Sequence, residues 1–147
     1  MTDVFSKKKR SIVMSRIRSS GNRETEVALK NILNTHRITG WRRRQKVFGN
    51  PDFIFYACHL AIFIDGCFWH GCNKHGHIPK TNRKYWINKL ENNKERDRKV
   101  NRYLKLNGWN VIRIWEHDLR YENRCITRIR LAMKKSVFHK KYWHSYE

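Results

Sequence analysis

The sequence predicts a single α/β domain with a mixed central sheet and helices on both faces. Three observations predict it. Apolar residues recur at helical spacing in some segments and run almost unbroken in others, giving the order α, α, β, β, β, long α, β, α. Two short apolar runs, residues 53–57 and 60–64, alternate only weakly, as strands buried on both faces do. From Thr81 to Asn107 no Gly or Pro intervenes, and Gly108 stops what reads as one long helix.

Taken in order, Ser6 can cap a first helix that turns Ile12, Val13 and Ile17 to one side, and Ser19, Ser20 and Gly21 break it. A second helix over residues 24–35 carries Val27, Ala28, Leu29, Ile32 and Leu33, and Gly40 closes that unit. Residues 41–47 read as a basic strand, and Phe48, Gly49, Asn50 and Pro51 as a turn. The two apolar strands follow, with a turn near Cys58 and His59. Residues 66–79 form an irregular loop rich in Cys and His. On the long helix Trp86, Leu90, Asn93, Asp97, Val100 and Leu104 share one face, so two polar residues interrupt an apolar stripe. They either face water or hydrogen-bond groups around a site, since a buried carboxylate needs partners. Residues 109–115 form another strand and residues 124–135 a last helix with Ile126, Ile129 and Met133 inward. No repeat or linker divides the chain, and residues 136–147 read as a tail.

The chain has 147 residues and a formal net charge of +21. Such a charge points to a polyanion, nucleic acid before membrane. No apolar run is long enough to span a bilayer, and the first residues lack the apolar segment of a signal peptide. The charge is uneven. Residues 1–50 carry 13 basic and 3 acidic side chains, and residues 80–106 carry 10 and 3. Residues 51–79 carry only Lys74 against Asp52 and Asp65, yet hold three of the four Cys and four of the eight His. The pattern reads either as a core hairpin, from which Lys is excluded, or as a reactive centre framed by phosphate-binding flanks.

Within that centre Cys67, Cys72 and His75 form C-x4-C-x2-H, with His70 and His77 interleaved. Zinc favours thiolate and imidazole in a tetrahedron, and one loop can supply several ligands. A fourth must come from elsewhere: His117, Cys125 or, more weakly, His59. Asp52 opens one strand and Asp65 ends the next, the layout of divalent-metal nucleases of the PD-(D/E)xK type. There a carboxylate holds Mg²⁺ against a phosphate oxygen and a base activates water. The Lys expected two residues after the second acid is replaced by Cys67, and His70 is the base within reach. Phe68 and Trp69 on the loop and Trp86 at the start of the long helix either pack in the core, as large aromatics commonly do, or suit base stacking or a wedge in a duplex.

These residues carry a resemblance. Ile64-Asp65-Gly66-Cys67-Phe68-Trp69-His70, Cys72, His75, Pro79, Tyr85-Trp86, Asn93, Arg96-Asp97, Gly108-Trp109 and Trp115-Glu116 resemble the very short patch repair (Vsr) endonucleases. Arg10-Ser11, Met14, Ile17, Glu26, Leu29, Leu33 and Pro51-Asp52-Phe53 fit the same family, over about residues 3–133.

The resemblance implies a restriction-endonuclease-like fold with a structural zinc. It implies a strand-specific, Mg²⁺-dependent nick in duplex DNA, 5′ to the thymine of a T·G mismatch left by deaminated 5-methylcytosine. The ends would be 3′-hydroxyl and 5′-phosphate, from which a DNA polymerase resynthesises a patch. On this resemblance Asp52 and the Ile64 carbonyl bind Mg²⁺, His70 is the base or phosphate contact, and Glu26 supports the metal-bound water. Asp65 either binds metal or orients His70. Cys67, Cys72, His75 and His117 hold zinc, with His77 as the alternative to His75. Phe68, Trp69, Trp86 and Asn93 meet DNA beside the mismatch, while Arg10 and Arg16 on the first helix grip the other groove. A monomer in a prokaryotic cytoplasm, near the nucleoid and mismatch-repair proteins, is implied as well. A sequence-specific restriction-type nuclease or a non-catalytic DNA-binding protein on this scaffold is the alternative.

Overall fold

The computed structural model describes residues 23–143, with side chains through Lys135, and Lys8. The predicted first helix, with Arg10 and Arg16, lies outside the described residues. The elements are α1 (Arg23–Thr35), β1 (Trp41–Arg42), β2 (Phe53–Phe55), β3 (Leu60–Asp65), α2 (Arg83–Leu106), β4 (Asn110–Trp115), a short 3₁₀ turn (Glu116–Arg120) and α3 (Glu122–Trp143). The strands lie in the order β1-β2-β3-β4. The first two pairings are antiparallel and β3 runs parallel to β4. A parallel pair needs a long crossover. Here the Cys/His loop and α2 provide it.

The sheet is covered on both sides. Phe53, Phe55, Leu60, Ile62, Ile64 and Ile114 meet Leu29, Ile32 and Leu33 of α1 and Cys125, Ile126 and Ile129 of α3. Ile54, Ala61 and Phe63 point the other way, onto Val100 and Leu104 of α2. Strand side chains alternate between faces, so Asp65 and Arg113 lie on the α2 side with Phe63. The stripe predicted on α2 faces the sheet, with Leu90, Asn93, Val100 and Leu104 buried.

Three boundaries differ from the sequence reading. The basic strand predicted over 41–47 pairs only at Trp41 and Arg42. Arg44 takes a positive φ of 53°, and Val47 N–H folds back to the Gln45 carbonyl at 2.9 Å, so the ladder cannot continue. The second strand stops at Phe55, because His59 N–H closes a turn onto Tyr56 O. The last helix extends past residue 135 to Trp143, through sequence with no Gly or Pro to stop it.

Gly49 fixes the turn before β2. It sits at φ 81°, and a Cβ there would lie 2.3 Å from a Val100 methyl. Only glycine allows both the backbone and this approach to α2. The turn thereby delivers Asp52 to the end of the sheet, where Asp52 N–H bonds Ile62 O at 2.9 Å.

Candidate active site

Asp52, Asp65 and His70 converge where β2 begins and β3 ends. They line one cavity of about 160 Å³ together with Asp97, Arg113 and Ile64. Asp52 Oδ2 accepts the Ile64 N–H at 2.7 Å, which locks its carboxylate across the strand pair. Burial pushes the Asp52 carboxyl from its ordinary 3.8 up to about 6, and the charges of Glu26 and Asp65 push the same way. The Ile64 N–H and Arg113 offset only part of this. The result is a carboxylate short of positive charge, which is what a divalent cation supplies.

His70 is 9% exposed. Its Nδ1 lies 2.6 Å from Asp97 Oδ2 and 3.8 Å from Asp65 Oδ1. Asp97 therefore fixes the ring, and the open question about the polar α2 residues resolves: they bond groups around the site. Burial alone would raise Asp97, but the His70 hydrogen bond and the charges of Arg113 and Arg96 bring it below the ordinary carboxylate range. Asp65 moves the other way, raised by burial against the pull of Arg113 and His70. Arg113 Nη1 donates to Asp65 Oδ1 at 2.7 Å, and Nη2 lies 3.3 Å from Asp97 Oδ1.

The second cluster shares a neighbouring cavity with His70, which Cys72 and His117 also line. Ligand atoms of Cys67, Cys72, His75 and His117 all fall within 4.8 Å of one another. Cys67 Sγ is 3.1 Å and Cys72 Sγ 3.8 Å from His117 Nδ1, and Cys72 Sγ is 4.0 Å from His75 Nδ1. Burial pushes the Cys67 thiol up to about 12, helped by Cys72 and Glu116. Burial opposes ionisation of Cys72 too, but the main-chain N–H groups of His75, Lys74 and Gly76 and the Cys67 thiol outweigh it and lower the group. Two thiols and two imidazoles in this compass suit a zinc-class ion. His117 Nε2 faces Asp118 Oδ1 at 3.4 Å, the outer partner a ligating imidazole usually has. Cys125, another of the three candidates, donates its thiol to Asp118 O at 3.2 Å. His77 instead sits 6.1 Å from the Phe68 ring.

The loop is tied to both walls. Cys67 N–H donates to Glu116 Oε1 at 2.8 Å, just beyond β4. Gly71, at φ 64°, lies under the Lys94 side chain, where a Cβ would stand 2.5 Å from Cε. Phe68 packs edge-on against Trp69 and Trp86, with centroids 5.0 and 5.3 Å apart. Asn93, expected among the DNA contacts, is 6% exposed and donates to the Trp69 carbonyl at 3.0 Å. Its amide is turned into the protein. Glu26 is buried as well and pairs with Arg43 from the segment after β1.

The sequence model of the family described as DNA mismatch endonuclease Vsr matches residues 2–75. The "Type II nicking enzyme V.NmeAIP" of Neisseria meningitidis is 39% identical over 133 residues, which cover 89% of this chain and 92% of that protein. The chain belongs to the Vsr family. The "DNA mismatch endonuclease Vsr" of Escherichia coli is 33% identical over 127 residues, 82% of this chain and 77% of its own. The "Type II nicking enzyme V.NaeI" of Lentzea aerocolonigenes is 56% identical over 68 residues, 46% of this chain and 41% of the longer relative. The Vsr family match takes in Glu26, Asp52, Asp65, His70 and the first three Cys/His residues. Asp97, Arg113 and His117 lie beyond it.

Asp97 and Arg113 are the residues the sequence reading did not assign to the site. Asp97 carried a weak signal, a carboxylate on an apolar stripe. Arg113 carried another: a lone charge inside the run Val111, Ile112, Arg113, Ile114.

Proposed function

We propose that this chain is an Mg²⁺-dependent endonuclease that nicks one strand of duplex DNA 5′ to the thymine of a T·G mismatch. The observation that carries the reading is the cavity holding a charge-starved Asp52 beside an imidazole that Asp97 holds at 2.6 Å. The membership in the Vsr family, with relatives named as nicking and mismatch endonucleases, supports it.

Asp52 and the Ile64 carbonyl would hold the divalent ion. When bound, it supplies positive charge to the phosphate oxygens as negative charge builds on them. Asp97 fixes the His70 ring through Nδ1, so Nε2 accepts the proton of the attacking water. Water oxygen bonds to phosphorus, the bond to the 3′ oxygen breaks, that oxygen takes a proton from solvent water, and 3′-hydroxyl and 5′-phosphate ends remain. Glu26 adds negative charge behind Asp52 and favours the cation. Cys67, Cys72, His75 and His117 would hold a structural zinc that pins the loop carrying His70. Phe68, Trp69 and Trp86 form the wedge that tests base pairing, and Asn93 braces it through the Trp69 carbonyl. Lys94, Arg98 and Arg124 border an adjoining cavity of about 580 Å³ and suit the phosphate path away from His70.

The test is Asp52→Ala on a labelled T·G duplex. Nicking should vanish while duplex affinity stays within about threefold of wild type. Retained nicking would remove Asp52 from the metal site.

A further inference from the structure

Arg113 is a charged side chain in the middle of a strand whose partner, β3, is buried throughout. Its position follows from register. Arg113 lies opposite Phe63 in the parallel pair, and alternation turns both toward α2, with Asp65 next along the same face. The guanidinium sits 4.5 Å over the Phe63 ring. It makes three directed polar contacts: Nη1 to Asp65 Oδ1 at 2.7 Å, Nη2 to Asp97 Oδ1 at 3.3 Å and Nε to Asn101 Oδ1 at 3.0 Å. A planar fork with an aromatic below it and three acceptors around it has little freedom, and no ammonium could make the same set.

The contacts fall on the two carboxylates that flank His70. Asp65, His70 and Asp97 lie close enough together to share a metal ion. Arg113 already engages one oxygen of each acid. We infer that Arg113 is the built-in cation of this site, a positioning residue that holds Asp65 and Asp97 against His70 and keeps both carboxylates off the divalent ion. The ion is thereby left to Asp52. The inference rests on the proposed nuclease reading for its catalytic consequence, and on the fork geometry alone for its effect on metal binding. It also assigns Asp65: its carboxylate buttresses the imidazole through Arg113 and does not coordinate.

The test uses Arg113→Met, Arg113→Lys and the double variant Asp65→Asn/Arg113→Met, all zinc-loaded. The first readout is binding of Mn²⁺ alone by calorimetry. Wild type should take one ion and Arg113→Met a second, because two carboxylates lose their partner; the double variant should return to one. An unchanged ion count in Arg113→Met overturns the inference, whether or not the wild-type chain nicks DNA. The second readout is nicking at saturating T·G duplex. Arg113→Met should lose at least about tenfold in turnover with duplex affinity unchanged, and the double variant should regain part of it. A double variant as poor as Arg113→Met overturns the inference, and the ion count separates this role from that of an arginine that only neutralises a buried acid. If Arg113→Met does not fold, Arg113→Lys decides: full turnover there refutes the role of the fork, and reduced turnover supports it. A wild-type chain that nicks no duplex counts against the nuclease reading and leaves the ion count to judge Arg113.

Discussion

Replacing Asp52 by Asn should make the metal-free protein more stable while removing its proposed activity. Asn keeps the size of the side chain and an oxygen for the Ile64 N–H, and deletes only the charge. The Asp52 carboxyl is raised from 3.8 to about 6, chiefly by burial and then by Glu26 and Asp65. A rise of that size corresponds to about 3 kcal/mol against the ionised native state. The sign follows from linkage. Below 3.8 the group is protonated folded or unfolded, and the charge has no effect. Between 3.8 and about 6 the unfolded chain ionises first, so native stability falls; above 6 the full penalty applies. Urea unfolding without divalent ions should therefore find Asp52→Asn more stable by about 1–3 kcal/mol near pH 8, and the two proteins nearly equal near pH 4. Added Mg²⁺ should stabilise wild type and leave the variant unmoved. A variant no more stable than wild type at high pH would refute the claim that Asp52 is a buried, under-compensated anion. So would a stability gain that persists undiminished at low pH.

Other consequences can be measured alongside. His70→Ala should lower nicking turnover by about 10²-fold or more, and Asp97→Asn should lower it nearly as far, with duplex affinity kept in each; single-turnover kinetics on a T·G duplex check both. Metal analysis should find one zinc per chain, and Cys72→Ser should lower the melting temperature and weaken zinc retention; a stable, zinc-free wild type would contradict the proposed ligand set. Ile129, fully buried between α3 and the sheet, should cost about 2–5 kcal/mol on truncation to Ala, read by urea unfolding. Duplex affinity should fall steeply with salt, as expected of a chain with net charge +21, for matched and mismatched DNA alike.

The sequence exposed those parts of the site that are close in the chain. Cys67, Cys72 and His75 fall within one loop, and Asp52 and Asp65 bracket one hairpin, so their proximity needs no knowledge of the sheet. Both central strands were legible because burial on two faces leaves an unbroken apolar run. Asp97 was visible only as an anomaly on a helical stripe, because the His70 contact spans 27 residues. Arg113 was less visible still. Its pairing with Asp65 depends on the parallel register of β3 and β4, which no local pattern encodes. The basic strand after Gly40 failed for a related reason: Arg43 turns in to pair with Glu26, and the positive φ at Arg44 breaks the extended chain. Asn93 stood open between water and the site, because the Trp69 carbonyl that takes its amide hydrogen bond lies 24 residues away.

High charge explains how firmly such a chain would hold DNA and says little about which DNA it cuts. Discrimination would fall to the aromatic loop and to the site behind it. The direct test is one assay: two duplexes that differ only in T·G against C·G at one position, each strand labelled, with Mg²⁺ present or withheld. A single nick, 5′ to the mismatched thymine, is expected only with T·G and only with Mg²⁺. Equal cutting of the C·G duplex, or binding of T·G without cutting, would contradict it.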